Sequence, residues 1–576
     1  MSDRSLTRTS SLESFSHIKE LIDQGRYLEA QFSAESVSEN AKDLRLAQLY
    51  ALSLSKSGMP EEALHQIEPF YKDHPDDPET AGILGSIYKE LFKKNQQTSY
   101  ALLSRDTYLK NFTATKNYYT GINAAAMSAM IMQSSKSKDI AKEIISMIHA
   151  ETHDFWELAT LGEACLLVKD TTKAVEFYLK TRKAAGNDWG KISSVYNQLW
   201  LLNHYIPVQK EVMRIFSPPG IIAFIGHMID HPDRKAPRFP AFIEEEIKNS
   251  ITNNLRTINA HIGFSSVACG SDILFAEAMG ELGRELNLFL PFNVADFIEV
   301  SVRFAGENWV DRFKSLLERF PVKIITEESY AGYDSLFNLQ SKVIFGSALL
   351  RSMAHQNKTT LLTVLSETDL KRKVGGTNFS LSLWPYRENH VNINPDIFIP
   401  PRTVAIETQD HQQQVETLPG RKIWNLVVAD LSGLMPLYKE RVLKDLAQES
   451  TDALPSRTDV DRDVCLYAFE SEFAAFDLMN HLMGMLKSLP KGQQVRIALH
   501  TGLAYETEDG LKGESIDIAL QLNKLSFAGI CASEHTAALL ALQGAKYALD
   551  FAGSIVTPAS GKYSVFRVSI PPNTRP

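Results

Sequence analysis

Cysteine is scarce: four in 576 residues, at positions 165, 269, 465 and 531. No two of them stand in a C-x-x-C spacing, which excludes a disulfide framework or a cysteine zinc site and points to a reducing compartment. Long apolar runs are missing too. Nothing approaches the ~20 residues that a membrane helix needs, so no membrane partner is expected. The first residues, Met1-Ser-Asp-Arg-Ser-Leu, carry no apolar leader, and the expected location is the cytoplasm. An excess of positive charge is also absent. With 60 Lys and Arg against 69 Asp and Glu, the net charge of −9 argues against a nucleic-acid partner. What remains is ordinary for globular protein: 44% hydrophobic and 22% charged residues, in a chain long enough for several domains.

Residues 1–13, rich in Ser, Thr and Arg, read as a disordered tail. From 14 to 216 almost every segment has helical periodicity. Gly25-Arg-Tyr-Leu-Glu-Ala30 is echoed 33 residues later by Gly58-Met-Pro-Glu-Glu-Ala63, and the cue returns at Lys169-Asp-Thr-Thr-Lys-Ala174. The period resembles the tetratricopeptide repeat, which implies an all-α solenoid. Its concave face would take a peptide or protein partner, or the solenoid only supports the next domain.

Ser217-Pro-Pro-Gly220 stops the last helix and opens a second domain, 217–395. The apolar run Ile221–Ile225 breaks at Gly226, an acidic amphipathic segment spans Phe242–Ile258, and a small-residue loop runs from Gly263 to Asp272. A helix then leads to the apolar run Leu286–Pro291. This is the spacing of an open α/β sheet. A Gly and Ser turn at the carboxyl end of a strand lets backbone N–H groups approach an anion, and the following helix adds the positive end of its dipole. Gly226, Gly270 and Ser271 are therefore candidate phosphate contacts; the alternative is that they shape turns while Ser271 or Asp272 caps a helix. Arg234, Lys235 and Arg238 either complement such a ligand or form a solvated loop.

Gly226-His227, Ser266-Val-Ala-Cys-Gly-Ser-Asp-Ile-Leu-Phe-Ala-Glu-Ala278, Leu288-Phe-Leu-Pro-Phe292 and the later Gly375-Gly-Thr377 turn resemble the SLOG superfamily. That resemblance implies a Rossmann-like open parallel sheet that binds a nucleotide or nucleotide-derived molecule. The nucleotide-binding residues it implies are Gly226, His227, Ser265, Ser266, Gly270, Ser271, Gly375, Gly376 and Thr377. The Pro-Gly-Gly-x-Gly-Thr-x-x-Glu motif of the LOG hydrolases is absent, so Glu277 is not assigned as a catalytic acid. The domain reads as a binder, with nucleotide or NAD hydrolysis as an alternative.

A linker, 396–420, leads to a last domain, 421–572. Trp424–Asp430 is a buried strand ending in an acidic turn, Asp463 heads a second strand, and Val495–Gly502 is a third. Two carboxylates on adjacent strands could share divalent ions that activate a hydroxyl and steady a triphosphate. Asp430-Leu-Ser-Gly-Leu434, Arg462-Asp463, Arg496-Ile-Ala-Leu-His-Thr-Gly502 and the helix after Gly513 resemble the class III nucleotidyl cyclases. The resemblance implies an α+β, ferredoxin-like fold, catalytic metal ligands at Asp430 and Asp463, Mg2+ or Mn2+ as cofactor, and a homodimer. The three-part layout also resembles bacterial signalling proteins that join such repeats to SLOG-like and cyclase-like domains.

The carry-over is uneven. Arg462 replaces a glycine, Asp517 replaces the asparagine that orients the ribose, and Gln521 replaces the arginine that stabilises the transferring phosphate. The last two changes make the site more negative by about two charges, and losing one such donor costs about 3–4 kcal/mol. Lys524, one turn on, is the candidate compensation. Asp459 and Gly510 match neither base-selectivity pattern. A cyclase-like module without activity is favoured over an active cyclase. His500 and the helix carrying Met479, Met483 and Met485 read as core.

Overall fold

In the computed structural model, the described residues are 15–38, 43–186, 188–231, 234, 236–330, 332, 334–355, 357–371, 381–400, 421–449, 458–461, 463–490, 492–508, 510–525, 528–557 and 561–571. The expected tail and most of the expected linker fall outside them. The chain divides into two compact units, Met1–Pro218 with Ala552–Ser554, and Pro219–Phe551 with Ile555–Pro576. No described helix is long and apolar enough to cross a membrane.

The first unit is a run of helical hairpins: α1 (15–23), α2 (Tyr27–Ser38), α3 (Leu44–Lys56), α4 (Pro60–Asp73), α5 (Pro78–Asn95), α6 (Thr98–Thr115), α7 (Tyr118–Met130), α8 (Ser134–Met147), α9 (Phe155–Leu167), α10 (Thr171–Ala185), α11 (Trp189–Asn203) and α12 (Lys210–Ile215). Side chains stop the frayed ends. Asp43, Asp77, Asn117, Asp154, Asp170 and Asp188 each accept a backbone N–H at a helix start. Five hairpin turns share one device. Gly25, Gly58, Gln96, Met132 and Lys169 take φ of 73°, 83°, 54°, 63° and 69°. The residue five positions on is buried each time: Ala30, Ala63, Ala101, Ser137 and Ala174. The turns recur every 33, 38, 36 and 37 residues. Gly85 and Gly162 let the hairpins α5–α6 and α9–α10 close, and Gly121 lets α7 pack on α6 of the preceding hairpin. A Cβ at each would come within 2.7 Å of the ring of Tyr108, Phe112 or Tyr178.

The second unit holds two sheets. The first is parallel, six-stranded, in the order β4-β3-β2-β1-β5-β6. Its strands are β1 (Gly220–Gly226), β2 (Ala260–Ser265), β3 (Glu285–Leu290), β4 (Val322–Ile324), β5 (Thr359–Val364) and β6 (His390–Ile393). Helices α13 (Glu244–Thr257), α14 (Ser271–Glu281), α15 (Val294–Ser301), α16 (Glu307–Arg319), α17 (Asp334–Ala354) and α18 (Glu367–Lys371) connect them. The interior of β1 is buried throughout, as a central parallel strand demands.

The second sheet contains β7 (Arg421–Asp430), β8 (Thr458–Asp461), β9 (Val464–Phe469), β10 (Arg496–Thr507), β11 (Gly510–Lys512), β12 (Gly529–Ser533), β13 (Ala548–Thr557) and β14 (Gly561–Ser569). Its helices are α19 (Pro436–Glu449), α20 (Glu472–Ser488), α21 (Glu514–Leu525) and α22 (Glu534–Ala541). The segment β7-α19-β8-β9-α20-β10 lays its strands in the order β10-β7-β9-β8, every neighbour antiparallel. That is the split βαβ arrangement. Met479 and Met483 are buried in α20, and His500 in β10. The two sheets meet where α17 crosses α22. A Cβ at Gly346 would lie 2.1 Å from the Ala538 carbonyl oxygen, so the helix backbones touch.

Candidate functional site

In the parallel sheet the chain runs outward from β1 in both directions, so the crevice at the carboxyl ends of β1 and β5 is the topological switch point. His227 follows β1 there and is buried. Its Nε2 lies 3.1 Å from Asp369 Oδ2 and 3.2 Å from the Ser366 backbone nitrogen. The ring nitrogen can pair with the carboxylate when protonated, or accept from the amide when not. The His227 contact, with help from Arg238 3.7 Å away and the Ser366 hydroxyl, holds the Asp369 carboxyl down to about 2. Asp369 and Ser366 were not singled out in the sequence, although Ser366-Glu-Thr-Asp369 has the spacing of a capping box. Ser366 Oγ indeed donates to Asp369 Oδ2 at 3.0 Å and accepts from the Asp369 N–H at 3.2 Å.

The glycine loop lies beside this crevice, but most of its polar groups are already engaged. Gly270 has φ 103°, and a Cβ there would sit 2.4 Å from the Ile229 nitrogen. Its role is close backbone packing. The N–H and Oγ of Ser271 both donate to the His227 carbonyl, at 3.1 and 2.8 Å. A Cβ at Gly226 would strike Ser271 Oγ at 2.2 Å. Ser266 Oγ accepts from Gln340 of α17 at 2.9 Å, and the fully buried Ser265 hydroxyl finds no partner. Phosphate contact through Ser271 would therefore require this packing to open. Asp272 stands at the head of α14, close to where an anion would approach. Burial pushes its carboxyl up to about 7, against the pull of the Ala268 and Gly226 amides and the Ser266 hydroxyl. Arg234 lies 3.4 Å from Asp230. Gly375, Gly376, Thr377 and Lys235 lie outside the described residues. Glu277 pairs with Arg312 of α16 at 2.7 Å, away from the loop.

In the antiparallel sheet, Asp430 ends β7 opposite Val464, and the Leu431 N–H donates to the Asp463 carbonyl at 2.8 Å, so the two aspartates are neighbours. Their carboxylates are engaged differently. Asp430 Oδ1 accepts from the Ser432 N–H at 2.9 Å, whereas Asp463 Oδ1 is in contact with the ammonium of Lys439 on α19. A divalent ion would have to displace that lysine. Among the described residues, no group of three or more His, Cys, Asp or Glu side chains converges as a metal site.

Asp517 and Gln521 line a different place, a pocket of about 590 Å³ shared with Glu328, Tyr505, Gly513, Glu514, Ile518 and Thr557. Neither Asp430, Asp463 nor Lys524 lines it. Its wall is acidic. Burial, followed by the charges of Glu327, Glu328 and Asp517, raises the Glu514 carboxyl. Arg421 lies 3.1 Å from Glu328, and the Gln521 amide donates to the Val556 carbonyl at 2.9 Å.

Comparison with known proteins places one part of the chain. Residues 26–128 match the family model described as Tetratricopeptide Repeats-Sensor. The N-terminal hairpins are tetratricopeptide-like repeats. A thermophilic TPR protein of Thermus thermophilus is similar over 33% of this chain and 98% of its own, at 16% identity and a TM-score of 0.28. An adenylate/guanylate cyclase/hydrolase from Silicibacter pomeroyi is similar over 26% of this chain and 99% of its own, at 16% identity and a TM-score of 0.23. An adenylate cyclase from Trypanosoma brucei covers 26% of this chain and 90% of its own, at 16% identity and a TM-score of 0.23. No curated protein matches the chain in sequence.

Proposed function

We propose that this chain is a nucleotide-signalling protein: a SLOG-like parallel sheet senses a nucleotide or nucleotide-derived molecule, and a class III cyclase-like module no longer cyclises one. The observation that carries the second half is the Lys439 ammonium on Asp463. Metal-assisted cyclisation needs that carboxylate free to hold a cation against a triphosphate. The acidic wall around Asp517 supports the same reading, because it repels the phosphate charge that an arginine would attract. The module's remaining role is recognition or pairing, and in keeping with the resemblance the chain assembles as a homodimer. The helical repeats offer a surface to a protein partner.

Incubation with ATP or GTP and Mn2+ tests this reading. The expected result is no cyclic nucleotide from the wild type. Cyclic product that disappears in Asp430→Ala would replace this reading with that of an active, metal-dependent cyclase.

A second reading, hydrolysis of a nucleotide or NAD at the switch point, is favoured by the buried His227–Asp369 pair, in which a carboxylate orients an imidazole at the end of β1. Turnover that is lost in His227→Ala, with the ligand still bound, would select it.

A further inference from the structure

The helical repeat contains two opposite charges that approach each other but do not touch. Lys89 of α5 donates to Asn123 Oδ1 of α7 at 3.2 Å and to Gln198 Oε1 of α11 at 2.8 Å. The other end of the same amide, Gln198 Nε2, donates to Glu163 Oε1 of α9 at 2.7 Å. A neutral amide thus stands between ammonium and carboxylate. Both are half-buried, and burial pushes the lysine down to about 8 and raises the glutamic acid. The four side chains come from the leading helices of four successive hairpins. The last of these curls back on the first, with Tyr205 and Phe92 ring centroids 5.6 Å apart and the Tyr205 hydroxyl donating to Gln96 at 3.1 Å.

A purely structural pair would do better in direct contact, since a desolvated charge is stabilised mainly by its counter-ion. Here Lys89 spends two donors on neutral oxygens, and Glu163 has a single amide donor. We propose that the inner face of the repeat is a binding site for a small ligand bearing a carboxylate or phosphate, with Lys89 as the counter-charge and Gln198 as the orienting amide. Lys89 and Gln198 already span this face between α5 and α11, which suits a small anion better than an extended peptide.

The test is thermal unfolding of the full chain in phosphate, acetate and chloride at equal ionic strength, for wild type, Lys89→Met and Gln198→Glu. General salting-out by phosphate acts on all three proteins and drops out of the difference. The expected wild-type response to the bound anion, over Lys89→Met, is a Tm rise of about 2–4 °C near saturation. Gln198→Glu places one carboxylate oxygen against Lys89 and the other against Glu163; whatever its Tm in chloride, it fills the counter-charge of Lys89 and should abolish the response. A response to phosphate alone assigns a phosphate ligand, and to acetate alone a carboxylate. No wild-type response, or one that persists in Lys89→Met or Gln198→Glu, overturns the site.

Discussion

Asp272 gives the parallel sheet a pH dependence of definite sign. Its folded pKa, about 7, lies above the ordinary 3.8, so the native state holds the proton more tightly than the unfolded chain does. Its stabilising contribution is present below pH ~4 and is lost as pH rises through ~7. Asp272→Asn removes that loss. Denaturant unfolding at pH 5 and pH 8 should show the variant gaining on the wild type by on the order of a few kcal/mol between the two. An equal difference at both pH values would contradict the assignment. His500 and His535 slope the other way. They are buried beside each other, with ring centroids 5.6 Å apart, and burial holds both below the ordinary 6.5. Their stabilising contribution is present above pH ~6.5 and falls as the pH drops below it. Lys323, Glu534 and Tyr563 pack around them. The drop in the denaturant midpoint from pH 7.5 to 5.5 should shrink in His500→Gln, and an unchanged drop would assign it to other groups.

The elements show which parts of the fold could be read in advance. Hairpin turns at Gly25 and Gly58 were legible because glycine favours positive φ. Turns at Gln96 and Met132 use the same backbone conformation but carry no glycine, and Ser137 replaces the buried alanine, so the repeat disappears from the sequence there. Strands β1 and β3 were legible as apolar runs; β2 was not, because glycine and serine break its apolar pattern, so that Gly263–Ser265, expected as the start of a loop, are the end of a buried strand. The engagement of Ser271 was not, because it depends on a carbonyl 44 residues away. Nor was the Lys439–Asp463 pair, which is set by how α19 leaves β7. The contact between α17 and α22 is a matter of helix packing. Gly346→Val places side-chain atoms where the Ala538 backbone already stands, and overpacking of this kind costs about 1–3 kcal/mol. A Tm indistinguishable from wild type would show that the two helices separate freely.

Across the second unit, the two sheets are joined by ion pairs as well as by that crossing. Lys323–Glu534 and Lys342–Glu472 are both drawn together, the latter at 2.7 Å, and Arg421–Glu328 closes at 3.1 Å. Helix α17 reaches both sides: Gln340 touches Ser266 at the loop beside the switch point, while Lys342 and Gly346 meet the antiparallel sheet. The proposed homodimer is tested by sedimentation of the full chain, where a monomer at all concentrations would remove pairing as the role proposed for the antiparallel sheet.

The most direct test of the account is an equilibrium titration of the full chain with ATP, GTP and NAD+, beside His227→Ala. That variant keeps the backbone carbonyl holding Ser271 and removes only the ring at the crevice. Nucleotide sensing at the switch point requires saturable binding of at least one of these nucleotides, weakened about tenfold or more in His227→Ala, equivalent to ~1.4 kcal/mol. Binding of none of the three, or equal binding by both proteins, would contradict nucleotide sensing at the switch point.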